Sequence, residues 1–336
     1  MVFILSNRSA KIIGLIAGVM FLLLCISASI RFGITKTDWK MIMESYSNFN
    51  GSNEHIIIRN LRVPRALIAA AVGASLAIAG VLMQSLTKNP LAAPDILGIN
   101  AGACFFVVFS ASFFSISALS EYTWIAFFGG TVAAVAVYFV GSIGRDGLTP
   151  AKIVLAGAAI TALFSSFTQA ILVLSEKELD EILFWLTGSV EGRGLDMLMA
   201  VLPYMAIGWI TAFLLGKSLN LLVMGEDVAK GLGQKTTLVK LLTGIVVILL
   251  AGSSVAVAGP ISFVGIIIPH ISRFFAGMDH RWRIPYSGLL GAILLLLADI
   301  GARFVLIPKE VPVGIMTAMI GTPFFVYIAR RRFSRA

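Results

Sequence analysis

Long apolar runs, broken by short polar stretches, fill the chain from residue 12 to residue 330. A helix needs about 20 mostly apolar residues to cross a ~30 Å hydrocarbon core. Ten runs meet or approach that length: 12–30, 66–86, 96–115, 122–142, 152–174, 197–216, 238–258, 261–277, 286–305 and 313–330. The eighth is short and follows the seventh almost directly, so nine spans is the alternative. In the second run Ala69, Gly73 and Ala77 recur every four positions, as do Ala66, Ala70 and Ala74. That spacing lets helix backbones approach closely and predicts a helix inside a bundle. The expected fold is all-α and polytopic, a single membrane domain over residues 1–336.

Composition agrees with the pattern. Hydrophobic residues make up 58% of the chain and charged residues 13%, about half the roughly 25% of an average soluble domain. A soluble enzyme, a disordered chain and a disulfide-stapled secreted domain are excluded. The net charge of +9 comes from Lys and Arg placed singly or in short clusters, as topology signals are, so no nucleic acid is expected. Cys25 and Cys104 lie within apolar runs and read as small buried hydrophobes.

With ten spans both termini share a side. Placing them inside puts 16 of the 26 Lys and Arg inside and 10 outside, the expected sense. The predicted location is the cytoplasmic membrane, with both termini cytoplasmic. Arg8 and Lys11 before the first run resemble a signal peptide, but with so many spans following, an uncleaved first helix is expected. Arg59, Arg62 and Arg65 cluster on the outer side against the trend, and Arg303 lies near the outer end of the ninth span. The outer loop 175–192 is acidic, with Glu176, Glu178, Asp180, Glu181 and Glu191.

A faint internal repeat is present. Ser75-Leu-Ala-Ile-Ala-Gly80 is echoed by Ser254-Val-Ala-Val-Ala-Gly259, and a proline, Pro90 or Pro269, follows each glycine by ten residues. The copies run in opposite directions through the membrane, as inverted repeats in transporters do.

Catalytic chemistry finds no support. His55, His270 and His280 are scattered without metal-ligand spacing, and His270 reads as a packing or capping residue. No nucleophile elbow occurs. Gly231-Leu-Gly-Gln-Lys235-Thr236 lacks the glycine that a phosphate loop needs directly before its lysine. The chain has no nucleotide site of its own, and no cofactor or metal is expected.

Three polar segments look like working parts. Residues 87–98 hold Pro90, Pro94 and Gly98, which forbid a regular helix, and irregular backbone at membrane depth requires protein or water around it. Residues 217–240 form the longest inner loop, where Leu222, Val223, Val228, Ala229 and Leu232 predict a short helix that docks a cytoplasmic partner or lies on headgroups. Asp299 and Arg303, one turn apart, form an intramembrane pair. A structural bridge and a proton relay are both open for it, with a surface role favoured for Arg303.

At these segments the chain resembles the iron-siderophore and cobalamin permease family of ABC importers. The likeness rests on Leu61-Arg-Val-Pro-Arg65, Gly80-Val-Leu-Met-Gln84, Asn89-Pro-Leu-Ala-Ala-Pro94, Leu97-Gly-Ile-Asn-Ala-Gly102 and Phe184-Trp-Leu-Thr-Gly188. It continues through Gly225-Glu-Asp-Val-Ala-Lys-Gly-Leu-Gly233, Gly259-Pro-Ile-Ser-Phe-Val-Gly-Ile-Ile-Ile-Pro-His270, Asp279-His-Arg281, Ala298-Asp-Ile-Gly-Ala-Arg303 and Val311-Pro-Val-Gly-Ile-Met-Thr317.

The resemblance implies a type II importer permease with ten helices. It implies a second permease subunit, identical or paralogous, with the pathway at the interface, two cytoplasmic ATPase subunits and an extracytoplasmic solute-binding protein. It makes Arg62, Arg65 and Arg303 docking points for that binding protein. Glu226, Ala229, Gly231 and Gly233 become contacts or shape-setting residues of an ATPase coupling segment. Asn89 and Leu91, with the Thr149–Pro150 loop, match an inner gate; Pro150 departs from the small hydroxyl residue the family pattern leads one to expect. The implied cargo is an iron(III)-siderophore, with cobalamin or haem as alternatives. A proton-coupled secondary transporter using Asp299 is the reading from a different class.

Overall fold

The computed structural model describes residues 5, 7–33, 37–114, 116, 118–144, 149–174 and 179–333. Every regular element among them is helical: α1 Arg8–Arg31, α2 Trp39–Ser47, α3 Asn53–Ile57, α4 Val63–Thr87, α5 Ile99–Phe114, α6 Leu119–Ser142, α7 Pro150–Leu174, α8 Leu179–Leu186, α9 Leu195–Met224, α10 Glu226–Gly231, α11 Thr236–Ala258, α12 Val264–Ala276, α13 His280–Val305 and α14 Val313–Phe333. A π-helical turn, Ile58–Arg62, joins α3 to α4, and a 3₁₀ turn, Pro94–Leu97, precedes α5. Seven helices are long and apolar enough to span a membrane, and α5, α12 and α14 supply three shorter apolar ones.

These helices fall on the ten expected runs, the eighth included. Two ends differ. The sixth span continues to Met224 and the ninth starts at His280, because the polar Asn220, His280, Arg281 and Arg283 are held in helix by contacts that a hydropathy window cannot see. Residues 217–240 are therefore not one loop. They comprise the end of α9, a break at Gly225 (φ 132°), α10, and the start of α11.

The core is an antiparallel pair, α4 against α13. Arg65 meets Asp299 at one end, Gly73 faces Gly291 near the middle, and Ser85 meets His280 at the other end. A Cβ added at Gly73 would lie 2.3 Å from Gly291 O, so the backbones themselves touch there. The small-residue spacing of α4 is thus used as expected, with Ala66, Ala69 and Ala77 at 0% exposure.

Opposed halves surround this pair. In the first, α4 is followed by an irregular linker and then α5, α6 and α7; in the second, α11 is followed by residues 259–263 and then α12, α13 and α14. The two breaks meet inside the bundle, where the Ser262 hydroxyl donates to Asp95 Oδ2 (3.4 Å) and Asn100 Nδ2 donates to Oδ1 (2.5 Å). Irregular backbone at that depth is enclosed by protein, as its polarity demands. Cys25 and Cys104 are free thiols.

Candidate functional site

At the arginine end of the bundle the sequence brings five charges into one cluster. Arg65 sits one turn into α4, and α13 delivers Asp299 opposite it. Nε and Nη2 of Arg65 both donate to Asp299 Oδ1, at 2.9 and 2.7 Å, and Nη1 donates to Glu310 Oε2 at 2.5 Å. Arg303 donates to the second Asp299 oxygen, to Ser29 O and Phe32 O (both 2.6 Å), and to Ser29 Oγ (2.7 Å). Arg62 donates to Ile30 O and Arg31 O, both at 2.9 Å, and to Thr37 Oγ1 at 2.6 Å. The guanidiniums therefore cap the carbonyls at the end of α1, which have no helical partner.

The expected Asp299–Arg303 pair is present, and Arg65 completes it. The surface role expected for Arg303 is corrected: its side chain is 2% exposed, and Arg62 is 6% exposed. Sequence alone put three arginines near one rim but could not show that α1 ends beneath them. Glu310 was missed, hidden in the short connection before α14. Nearby, burial and then Glu310 push the Glu191 carboxyl upward, and burial lowers Arg193 to about 10. Glu176 and Glu178 lie outside the described residues.

At the opposite end, Lys88 adopts the left-handed conformation (φ 51°) and stops α4. Asn89 then organises the turn, accepting Leu91 N–H on its side-chain oxygen (3.0 Å) and Ala92 N–H on its carbonyl (3.1 Å). Of the expected Thr149–Pro150 loop only Thr149 precedes the helix, which corrects the expectation for Pro150. Pro150 is the first residue of α7, a position that suits its fixed φ and missing N–H, and Thr149 O accepts from Ile153 N–H.

The segment after α9 is folded tightly. Glu226 Oε2 accepts from Lys240 at 2.5 Å, while Oε1 faces Lys230 and Thr236, both at 3.3 Å. The Lys240 hydrogen bond, first among these contacts, holds the Glu226 carboxyl below the usual carboxylate range. Gln234 donates to Ser218 O (2.9 Å) and closes the segment onto α9. The single apolar face expected there divides in two. Leu222 and Ala229 are buried, whereas Val223, Met224, Val228 and Leu232 stay exposed. Ala229 thus packs inward, and Gly231 borders open space. Gly233 turns the chain at φ 79°, a conformation glycine adopts without a Cβ penalty.

A polar network, buried at Ser85 and His280 and half-buried at Asn220 and Asp279, sits just inside this segment. Asn220 Oδ1 accepts His280 N–H (2.9 Å) and faces His280 Nδ1 (2.8 Å), while its amide donates to Asp279 Oδ1 (2.7 Å). His280 Nε2 lies 2.7 Å from Ser85 Oγ. Asp279 caps α13 and pairs with Arg281, whose hydrogen bond is the main cause holding its carboxyl well below the usual range. Sequence reasoning missed Asn220; its signal was a lone amide near the end of an apolar helix. His270 packs as expected, with Nδ1 3.0 Å from Ile266 O and its ring edge-on to Phe324. Among the described residues no group of His, Cys, Asp and Glu could hold a metal ion.

Comparison with known proteins places this architecture. The FecCD transport family model matches residues 21–331. A probable siderophore transport system permease protein of Bacillus subtilis is 56% identical, with 98% of each chain covered. The ferric enterobactin transport system permease protein of Escherichia coli is 38% identical, over 94% of this chain and 95% of that one. Among solved structures, one described as an inward-facing conformation of a metal-chelate type ABC transporter superposes with a TM-score of 0.81 at 30% identity, covering 94% of this chain and 98% of that chain.

Proposed function

The chain belongs to the FecCD transport family, as a multi-pass permease subunit of an ATP-binding-cassette importer, and from that premise we propose that it moves an iron(III)-siderophore across the cytoplasmic membrane. The observation that carries the cargo is the similarity along 98% of the chain to a siderophore system permease. Membership in this family implies partners that bind the cargo and hydrolyse ATP, and permeases of this kind carry no hydrolytic site themselves.

In this reading the arginine end is the outer face. Arg59, Arg62, Arg65, Arg193 and Arg303 outnumber Asp299, Glu310 and Glu191 there, so the rim carries a positive excess that steers an acidic face of the binding protein into place. Most of each guanidinium of Arg62, Arg65 and Arg303 is already engaged, so the rim acts through its field and shape as much as through free donors. The Asp279 end is the inner face. Residues 217–240 are the coupling segment, with Val223, Met224, Val228 and Leu232 offered to the ATPase and Glu226, Ala229, Gly231 and Gly233 fixing its shape. Asn89, Leu91, Thr149 and Pro150 form the inner gate.

A second permease subunit covers α7. Like α1, α7 has little buried surface within the chain. The exposed side of α1 is Ile13, Ile16, Met20, Leu23 and Leu24, suited to lipid, whereas α7 exposes, beside Leu155, Leu163 and Phe167, a stripe of Ala158, Ala162, Ser166 and Gln169. Small and amide residues favour helix contact or water over hydrocarbon. Nucleotide binding to the ATPases shifts the population between outward-open and inward-open states. A proton-coupled carrier using Asp299 gains nothing from the geometry, since both carboxylate oxygens are taken by Arg65 and Arg303.

The test is uptake of radioiron-labelled hydroxamate, catecholate and citrate chelates and haem, and of radiocobalt-labelled cobalamin, by a deletion strain, with and without the gene restored. Loss and rescue for one siderophore class is expected, dependent on ATP rather than the proton gradient. Rescue of haem or cobalamin alone would overturn the cargo, and dependence on the proton gradient would overturn the machine.

A further inference from the structure

The polar network at the inner end joins three helices that the coupling reading would need to move together. Asn220 is on α9, five residues before the Gly225 break that begins the coupling segment. His280 and Asp279 open α13, and Ser85 is on α4, four residues before Asn89. The contacts run in series. The coupling segment is fastened to α9 by the Gln234–Ser218 bond and closed on itself by Glu226 with Lys240. From α9, Asn220 grips His280 through both a backbone and a ring nitrogen and grips Asp279 through its amide. His280 then reaches Ser85.

The chemistry leaves little slack. A carbonyl oxygen faces Nδ1, so the ring donates there, and in the neutral ring Nε2 accepts. The Ser85 hydroxyl has its single proton to give, with Nε2 at 2.7 Å and Val81 O at 2.8 Å in reach. Ser85 and His280 are both 3% exposed, so water cannot replace a partner lost between those two, whereas Asn220 and Asp279 are half-buried; a buried polar group left unpaired carries a large penalty. The helices therefore shift as one or the bonds exchange partners together. The neighbouring Arg283 adds a second tie from α13 to α4, donating to Gln84 Oε1 at 2.8 Å.

We propose that Ser85, His280 and Asn220 form a latch that carries movement of the coupling segment to the gate linker at residues 88–98. They are positioning residues, and the proposal rests on the coupling and gate readings above. It predicts that cutting the latch uncouples the gate from ATP hydrolysis without detaching the ATPase.

The experiment uses the full chain assembled with its ATPase in lipid nanodiscs. Leu91→Cys, in a background of Cys25→Ser and Cys104→Ser, is labelled with a bulky maleimide, nucleotide-free and after vanadate trapping. The labelling rate is expected to change on trapping in this reference. In Ser85→Ala and in Asn220→Ala that change should shrink about tenfold, within the range of one allosteric coupling, while ATP hydrolysis persists. Links in one series are not additive, so the double variant should be no worse than the more severe single one. A full response in both single variants, or a double variant that multiplies their losses, overturns the latch. Should Asn220→Ala fail to assemble, Ser85→Ala, which removes one hydroxyl, decides the question. A reference that does not respond to vanadate removes the gate reading and the latch with it. ATPase association unchanged by Val228→Asp with Leu232→Asp removes the coupling reading specifically.

Discussion

The two ends of the bundle each hold a knot of opposite charges, and the knots are built differently. At the arginine end Asp299 is fully buried and clamped by the guanidiniums of Arg65 and Arg303, the second of which also caps α1. At the other end Glu226 keeps 36% of its side chain exposed and meets Lys240, 17% exposed, and Lys230, 58% exposed. The first cluster holds helices together, since removing one partner strands the others in a low dielectric. The second shapes a surface, since water stands ready to replace any partner. Similar residue types thus serve architecture or availability according to burial alone.

The largest effect that separates them is Asp299→Ala. Breaking a buried pair from one side costs about 3–5 kcal/mol, and here both Arg65 and Arg303 lose their shared carboxylate. Thermal unfolding in detergent should show a large loss of stability. A variant as stable as wild type would dissolve the contrast. Next in size is Gly291→Ala, which needs room where Gly73 O lies 2.2 Å from the new Cβ. Overpacking of this kind costs about 1–3 kcal/mol, readable by the same measurement.

Glu226→Ala should barely move unfolding, since exposed pairs are worth about 0–1 kcal/mol. The same substitution is expected to reduce the ATPase that co-purifies with the chain. Stability lost without any loss of partner would reverse the assignment.

The smallest effect is on pH. The Glu226 and Asp279 carboxyls are held below the ordinary range by Lys240 and Arg281. A depressed carboxyl contributes stability above its unfolded pKa and loses it as pH falls through the folded one. Amide exchange protection over residues 225–236, corrected for intrinsic rates, should therefore hold from pH 7 to about 5, the unfolded carboxyls titrating near 4. Glu191 behaves in the opposite sense. Burial and Glu310 raise its pKa, so its charge opposes folding at neutral pH and that penalty fades as pH falls.

Span positions were legible in the sequence because hydrocarbon imposes a length and a composition on each helix. The Ala and Gly spacing of α4 was legible for the same local reason. What escaped depended on contacts between residues distant along the chain. Arg303 could be placed near a rim but not turned inward, because Ser29 and Phe32 lie more than 270 positions away. Glu310 and Asn220 gained meaning only when Arg65 and Asp279 arrived beside them. Pro150 looked like part of a loop because a proline reads as a breaker, whereas here it begins α7.

The stripe along α7 bears on the life of the protein before it works. In the proposed assembly, a freshly inserted copy whose α7 has not met a second permease subunit presents the exposed Ser166 and Gln169 to acyl chains, a blemish for membrane quality control to read. Expressed without its companion, the chain should be degraded faster, and Ser166→Leu with Gln169→Leu should prolong its half-life in a pulse-chase while spoiling assembly. The face proposed to meet the second subunit would then also serve as a timer on unassembled chains.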